Sequence, residues 1–403
     1  MKRALGVITH PKGFASAGVA AGIKTSPGVP DVAILACEVP AACAAVFTTN
    51  KVCAAPVHVS REHLRKSRGR VRAVVVNSGN ANACTGRRGL GDARKMAALT
   101  AALLDVPRER VLVASTGVIG EPLPMRRVAV GIRKAVKELS GDKRRATAFT
   151  RAIMTTDRFP KEAQTSIRAS ARRVRLAGVV KGAGMIAPNM ATMLAFVTTD
   201  ARVSPGLLRK LLRRAVGGSF NRITVDGHMS TNDTCVVLSS GLSGVAVRSG
   251  TRLEKRFAAA LDDVLLALAL QIVRDGEGAV RVAEVRVTRA RTRTDAERAA
   301  RAVAESPLVK TALFGADPNW GRIVSAAGAC GCDFKEEKTS LKINGHCIYR
   351  NGRPLRASSA IRKAMKRERV TFLLDLGLGR AAAVAYTCDL GHDYVRLNAE
   401  YHT

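Results

Sequence analysis

Lys181-Gly182-Ala183-Gly184-Met185-Ile186-Ala187-Pro188-Asn189-Met190-Ala191-Thr192-Met193-Leu194-Ala195-Phe196-Val197-Thr198-Thr199-Asp200 is unlike the rest of the chain. Two glycines and a proline lead to a small residue, a threonine and then an apolar run. The pattern reads as a constrained loop entering a buried strand. Thr192 becomes a chemical group if the Ala191–Thr192 bond breaks, because the new terminal residue carries a hydroxyl and an α-amine on adjacent carbons. A free α-amine has a pKa of about 7.7–8.0. It is partly neutral near physiological pH and can serve as base for its own hydroxyl, directly or through water. No separate base is then required. The seven histidines are scattered, without an HExxH motif or a Ser-His-Asp arrangement.

Working outward, the chain reads as mixed α/β. Val71 to Val76 is a valine-rich strand running into the loop Asn77-Ser78-Gly79-Asn80. Asp92 is placed to cap a helix with Met96, Leu99 and Leu103 on one face. Ser204-Pro205 starts another helix, and Leu253 to Ile272 a longer one. Val280, Val282, Val285 and Val287 mark a half-buried strand. Val370–Leu376 and Ala381–Thr387 read as a hairpin joined by Gly377-Leu378-Gly379-Arg380.

The bulk numbers exclude several classes. At 403 residues there is material for two ordinary domains or one large one. No apolar run reaches the roughly 18–20 residues of a membrane span. The opening Met1-Lys2-Arg3-Ala4-Leu5-Gly6 leads into no signal-type apolar stretch. The expected location is the cytoplasm, with no membrane partner. Nine cysteines, an odd number without a CxxC pair, are expected to pack as small core thiols rather than as disulfides or a metal site. The net charge of +34 would suit a polyanion, but the charge is dispersed and aromatics make up only 4%, which argues against nucleic acid as the main partner. A positive field also attracts acidic substrates.

The segment around Thr192 resembles the self-cleavage motif of the ornithine acetyltransferase / glutamate N-acetyltransferase family, in which the threonine after Asn-Met-Ala is the nucleophile. The resemblance runs end to end. It includes Pro11-Lys12-Gly13-Phe14, Phe47-Thr48-Thr49-Asn50, Asn77 to Gly86 and Ser115-Thr116-Gly117-Val118-Ile119-Gly120. It continues through Met154-Thr155-Thr156-Asp157, Ser219 to Gly227, Asp275-Gly276-Glu277-Gly278-Ala279, Asp317-Pro318-Asn319-Trp320-Gly321-Arg322 and Asn398 to Thr403.

The resemblance implies a layered α/β/β/α sandwich of the self-processing N-terminal-nucleophile type. It implies cleavage into residues 1–191, carrying the oxyanion hole, and 192–403, beginning with Thr192. Thr116, through its hydroxyl, and Gly117, through its N–H, are implied as oxyanion donors. Thr155, Lys181, Thr192, Glu277, Asn398 and Thr403 are implied as substrate-binding residues. Lys181 suits a carboxylate and Glu277 an ammonium group.

The implied reaction moves the acetyl group of N-acetylornithine to Thr192 and then to glutamate, in arginine biosynthesis. No cofactor or metal is implied. Whether acetyl-CoA is a second donor stays open, and the implied assembly is two copies of each fragment. A self-processing amidase or aminopeptidase of the same fold, with water as acceptor, is the alternative. Departures from the family pattern fall at His228-Met229, Arg158-Phe159-Pro160 and His402. They bear on local packing.

Overall fold

The computed structural model describes residues 5–187 and 193–400; Ala191, Thr192 and Thr403 lie outside the described residues. One large sheet dominates. Its strands are β1 (Phe14–Val19), β2 (Val32–Phe47), β3 (Arg70–Asn80), β4 (Val111–Val118), β5 (Lys161–Ala169), β6 (Arg172–Lys181), β7 (Leu194–Thr199) and β10 (Thr234–Ser239). The order is β4-β3-β2-β10-β7-β6-β5, with β1 also paired to β2. β8 (Arg202–Val203) and β11 (Ala246–Val247) form a separate short parallel pair.

Side-chain alternation divides each strand between two cores, as a period of two residues requires. In β3, Ala73 and Val75 face helices α1 (Ala55–Lys66), α2 (Gly86–Leu103) and α3 (Met125–Lys137). In β7, Ala195 and Val197 face α5 (Pro205–Gly218) and α6 (Arg252–Arg274). The intervening residues all point into one inner cluster. Leu112 and Ala114 of β4 meet Ala177 and Val179 of β6 there, and Phe149 of α4 (Lys143–Ala152) lies edge-on to Phe196 at 5.6 Å. The sheet therefore folds over so that its two halves pack face to face, with helices outside each. This is the expected α/β/β/α layering. Residues on both sides of position 191 build the sheet, since β7 is hydrogen-bonded between β6 and β10.

A second sheet follows the order β15-β14-β13-β16-β12-β17-β9. Its strands are β9 (Ile223–Thr224), β12 (Val282–Ala290), β13 (Ser340–Ile343), β14 (His346–Arg350), β15 (Arg353–Pro354), β16 (Arg369–Asp375) and β17 (Ala381–Cys388). Helices α7 (Arg293–Glu305), α8 (Pro307–Phe314), α9 (Trp320–Gly328) and α10 (Ser359–Met365) share its core. β9 pairs with β17, and Cys388 packs in the same cluster as α6, so the two sheets are joined.

Three local expectations change. β16 and β17 form no hairpin: β12 lies between them, parallel to β16 and antiparallel to β17. The Gly377–Arg380 connection instead crosses the end of β12, with Leu378 and Gly379 N–H both donating to Arg289 O. Asp92 caps nothing, because α2 begins at Gly86 and Asp92 lies buried within it, 3.6 Å from Lys95. The cysteines are not uniformly core thiols: Cys37, Cys43, Cys235 and Cys388 are buried, Cys84 is exposed, and the rest are half-buried. No helix among the described residues is long and apolar enough to cross a membrane.

Candidate active site

β3 and β4 run parallel and end together, with Ser78 opposite Thr116 and Gly79 opposite Gly117. The strand ends are so close that a Cβ on Gly117 would stand 2.3 Å from the Gly79 carbonyl carbon. Gly117 also has φ +134°, a conformation open only to glycine without strain. Asn232 locks this corner. Its Nδ2 donates to Ser115 O at 2.8 Å and to Ala81 O at 2.7 Å.

A cleft opens here, lined by Thr116, Gly117, Thr155, Lys181, Glu277 and Asn398. All the described residues named in advance thus share one site, although they come from five distant parts of the chain. Ser230, Thr231, Asn232 and Gly184 complete the lining. Lys181, at the end of β6, is buried, and its Nζ donates to Thr116 Oγ1 at 3.2 Å. The hydroxyl oxygen is then an acceptor toward Lys181, which leaves its own proton to donate elsewhere. Burial pushes the Lys181 ammonium below the usual lysine range; Asp157 opposes this and Lys161 adds to it.

Across the cleft, Glu277 follows the end of α6, and its N–H donates to Ala183 O at 3.0 Å. Asn398, on α11 (His392–Glu400), donates to Glu277 Oε2 at 3.0 Å. Gly184 permits this approach, since a Cβ there would stand 2.4 Å from Glu277 Oε2.

Buried carboxylates hold the loops. Asp157 Oδ2 accepts from Thr155 N–H at 2.9 Å, and Oδ1 from Gly182 N–H at 2.7 Å. Burial alone would raise its pKa, but the Lys161 and Lys181 ammoniums hold it below the usual carboxylate range. Asp226 accepts from Met185 and Ile186 N–H, and Asp233 accepts from Met193 N–H at 3.0 Å. The chain is therefore anchored just before residue 188 and just after residue 192. Burial pushes the Asp233 carboxyl well above its ordinary value.

Asp157, Asp226 and Asp275 sit inside motifs quoted above, yet their anchoring role has no sequence signal. Asn232, Asp233 and Lys161 carry none at all. Of the departures, His228 is exposed and Met229 half-buried, with Met229 O accepting from Asn50 Nδ2 at 3.0 Å. Arg158 is closer to the chemistry, because its Nε donates to Asp275 two residues before Glu277. Among the described residues no cluster of three or more His, Cys, Asp or Glu could hold a metal.

A strand end with a hydroxyl and a glycine N–H, beside a buried cation and opposite a carboxylate and an amide, carries the groups that acyl transfer on an amino acid requires. The chain belongs to the ArgJ family, whose model matches residues 15–403. It is 49% identical over 401 residues to the arginine biosynthesis bifunctional protein ArgJ of Symbiobacterium thermophilum, with 99% of each chain covered. It is likewise 49% identical over 402 residues to the protein of that name from Geobacter sulfurreducens, covering 97% of this chain and 99% of the relative. A crystal structure of ornithine acetyltransferase with ornithine from Mycobacterium tuberculosis is 39% identical, spans 48% of this chain and 97% of its own, and has a TM-score of 0.41.

Proposed function

We propose that this enzyme is a glutamate N-acetyltransferase of arginine biosynthesis that works through an acetylated Thr192. The reading is carried by the meeting of Thr116, Gly117, Lys181 and Glu277 in one cleft. Breakage of the Ala191–Thr192 bond, giving fragments 1–191 and 192–403, frees the Thr192 α-amine. That amine takes the hydroxyl proton as the oxygen attacks the acetyl carbonyl of N-acetylornithine. The tetrahedral oxyanion is met by the Thr116 hydroxyl and the Gly117 N–H, whose orientations the Lys181 contact and the strand end fix in advance. Collapse expels ornithine, taking the proton back to its amine. Glutamate then enters the same pocket and accepts the acetyl group. Thr155, Glu277, Asn398 and Thr403 hold the amino acid, and Lys181 adds positive charge beside the reacting oxygen. The proposed assembly contains two copies of each fragment, which light scattering of the purified enzyme would check.

Incubation with N-acetylornithine alone should add one acetyl mass to the fragment beginning at Thr192. Initial rates against both substrates should give parallel lines. Thr192→Ala should remain full-length and inactive. Intersecting lines without an acetylated fragment would remove Thr192 as carrier. Rapid acetate release without glutamate would identify water as the acceptor. Offering acetyl-CoA in place of N-acetylornithine decides whether it is a second donor.

A further inference from the structure

Lys161 opens β5 and is completely buried. Its Nζ lies 2.5 Å from Asp157 Oδ1 and 2.5 Å from Asp275 Oδ2, and all three side chains are shielded from solvent. Each carboxylate also accepts from main chain close to the cleft. Asp157 accepts from Thr155 N–H and from Gly182 N–H, the residue after Lys181. Asp275 accepts from Arg158 N–H at 3.0 Å and from Arg158 Nε at 3.1 Å. Glu277, two residues beyond Asp275, is tied back to Ala183.

Three segments remote in sequence thus each deliver a cleft residue: the turn at 155–158, the end of β6, and the turn after α6. One ammonium group joins the two carboxylates on which all three hang. Burying a lysine and two carboxylates is expensive, and apolar residues of similar volume often serve stability as well or better. The arrangement is explained by what it orders. Without the cation the two carboxylates repel in a medium of low dielectric. Movement of either one carries backbone with it.

We propose that Lys161, bridging Asp157 and Asp275, is a positioning residue that holds Thr155, Lys181 and Glu277 in register for the amino-acid substrate. The inference rests on reading Thr155 and Glu277 as substrate-binding and Lys181 as the charge beside the reacting oxygen. The geometry is demanding, because misplacing a bound group by about 1 Å can cost on the order of 10²-fold. The bridge also shapes the charge around Lys181, since Asp157 favours the Lys181 ammonium while Lys161 disfavours it.

The test compares steady-state constants of the processed enzyme for N-acetylornithine and glutamate in Lys161→Met, Arg158→Met and Glu277→Gln. Lys161→Met should raise both KM values by about 10- to 100-fold, with a smaller fall in kcat. It should also move the alkaline limb of the kcat/KM profile upward, because Lys181 loses a like-charged neighbour. Arg158 is half-exposed, so its removal leaves the core intact and reads the same network from its solvent end. Arg158→Met should raise KM about threefold, and it decides the matter if Lys161→Met does not fold. A folded Lys161→Met with lowered thermal stability but unchanged KM and pH profile would overturn the proposal, as would unchanged KM in Arg158→Met. If Glu277→Gln itself leaves KM unaltered, the substrate-binding premise fails and the proposal falls with it. If Glu277→Gln raises KM and the network variants do not, Lys161 alone is excluded.

Discussion

The two sides of the cleft are held by different forces. On the Thr116–Gly117 side the backbone is supported by neutral groups: Ser115 Oγ donates to Asn77 Oδ1 at 2.6 Å, and Asn232 bridges Ser115 and Ala81. On the side of Thr155, Lys181 and Glu277 the supports are ions, with Asp157, Lys161 and Asp275 sealed from water. A neutral hydrogen bond contributes about 0.5–1.5 kcal/mol net, and its loss leaves a polar atom unsatisfied. Removing one member of a buried ion pair leaves an uncompensated charge, typically at a cost of about 3–5 kcal/mol. The neutral side should therefore be the more sensitive to a change of backbone, and the ionic side to a loss of charge.

Gly117→Ala should have the largest effect, because it strikes the backbone of the neutral side. The added Cβ would collide with Gly79 and with Asn80 N, neither of which can give way. The expected result is a drop in thermal midpoint together with loss of acetyl transfer, measured by calorimetry and activity on one preparation. An active, fully stable variant would show that the strand end is softer than its geometry.

Thr116→Ala comes next and leaves the backbone in place. Turnover should fall by roughly 10²- to 10³-fold, as for loss of one oxyanion donor. KM should change little, since the donor acts mainly in the transition state. A large rise in KM with kcat preserved would reassign Thr116 to substrate binding.

Gly184→Ala probes the other side without touching a charge. The three atoms nearest its Cβ all belong to the end of the Glu277 side chain, which can swing away. The protein should fold normally and show KM raised several-fold with kcat little altered. Unchanged KM would separate Glu277 from substrate binding.

The smallest expected effect is the pH response of Lys181. The proposed reaction uses its positive charge beside Thr116, so activity should fall as pH rises through a value below the ordinary lysine range. The sign for stability is opposite. Between that lowered value and the unfolded value of 10.5 the unfolded chain binds the extra proton, so this residue's contribution to stability increases with rising pH. Lys181→Met should abolish that slope in pH-dependent denaturation, while depressing activity at every pH.

Thr116, Thr155, Lys181, Glu277 and Asn398 were legible only through the resemblance of the motifs around them to the ornithine acetyltransferase family, because taken alone they read as an ordinary turn and as solvated loop residues. The valine-rich run of β3 and the alternating valines of β12 were readable because a strand buried on both faces is continuously apolar and a half-buried one repeats every two residues. The hairpin read across Gly377–Arg380 failed for the complementary reason. Adjacent strands and a glycine turn look the same in sequence whether the strands pair with each other or admit a third between them. Only the arrival of β12, about 90 residues earlier in the chain, decides it.

By itself the sequence determined the family, the α/β character and the chemistry available to Thr192 if its peptide bond breaks. The tertiary structure decided that Lys181 stands against Thr116, that Asn232 pins the strand end at Ser115, and that Lys161 joins Asp157 to Asp275. The reason is physical. Local pattern reports what a few neighbouring residues prefer, whereas a buried charge is tolerable only through partners that folding brings from elsewhere. Nothing in the run around Lys161 shows that a carboxylate from the end of α6 will be waiting for it.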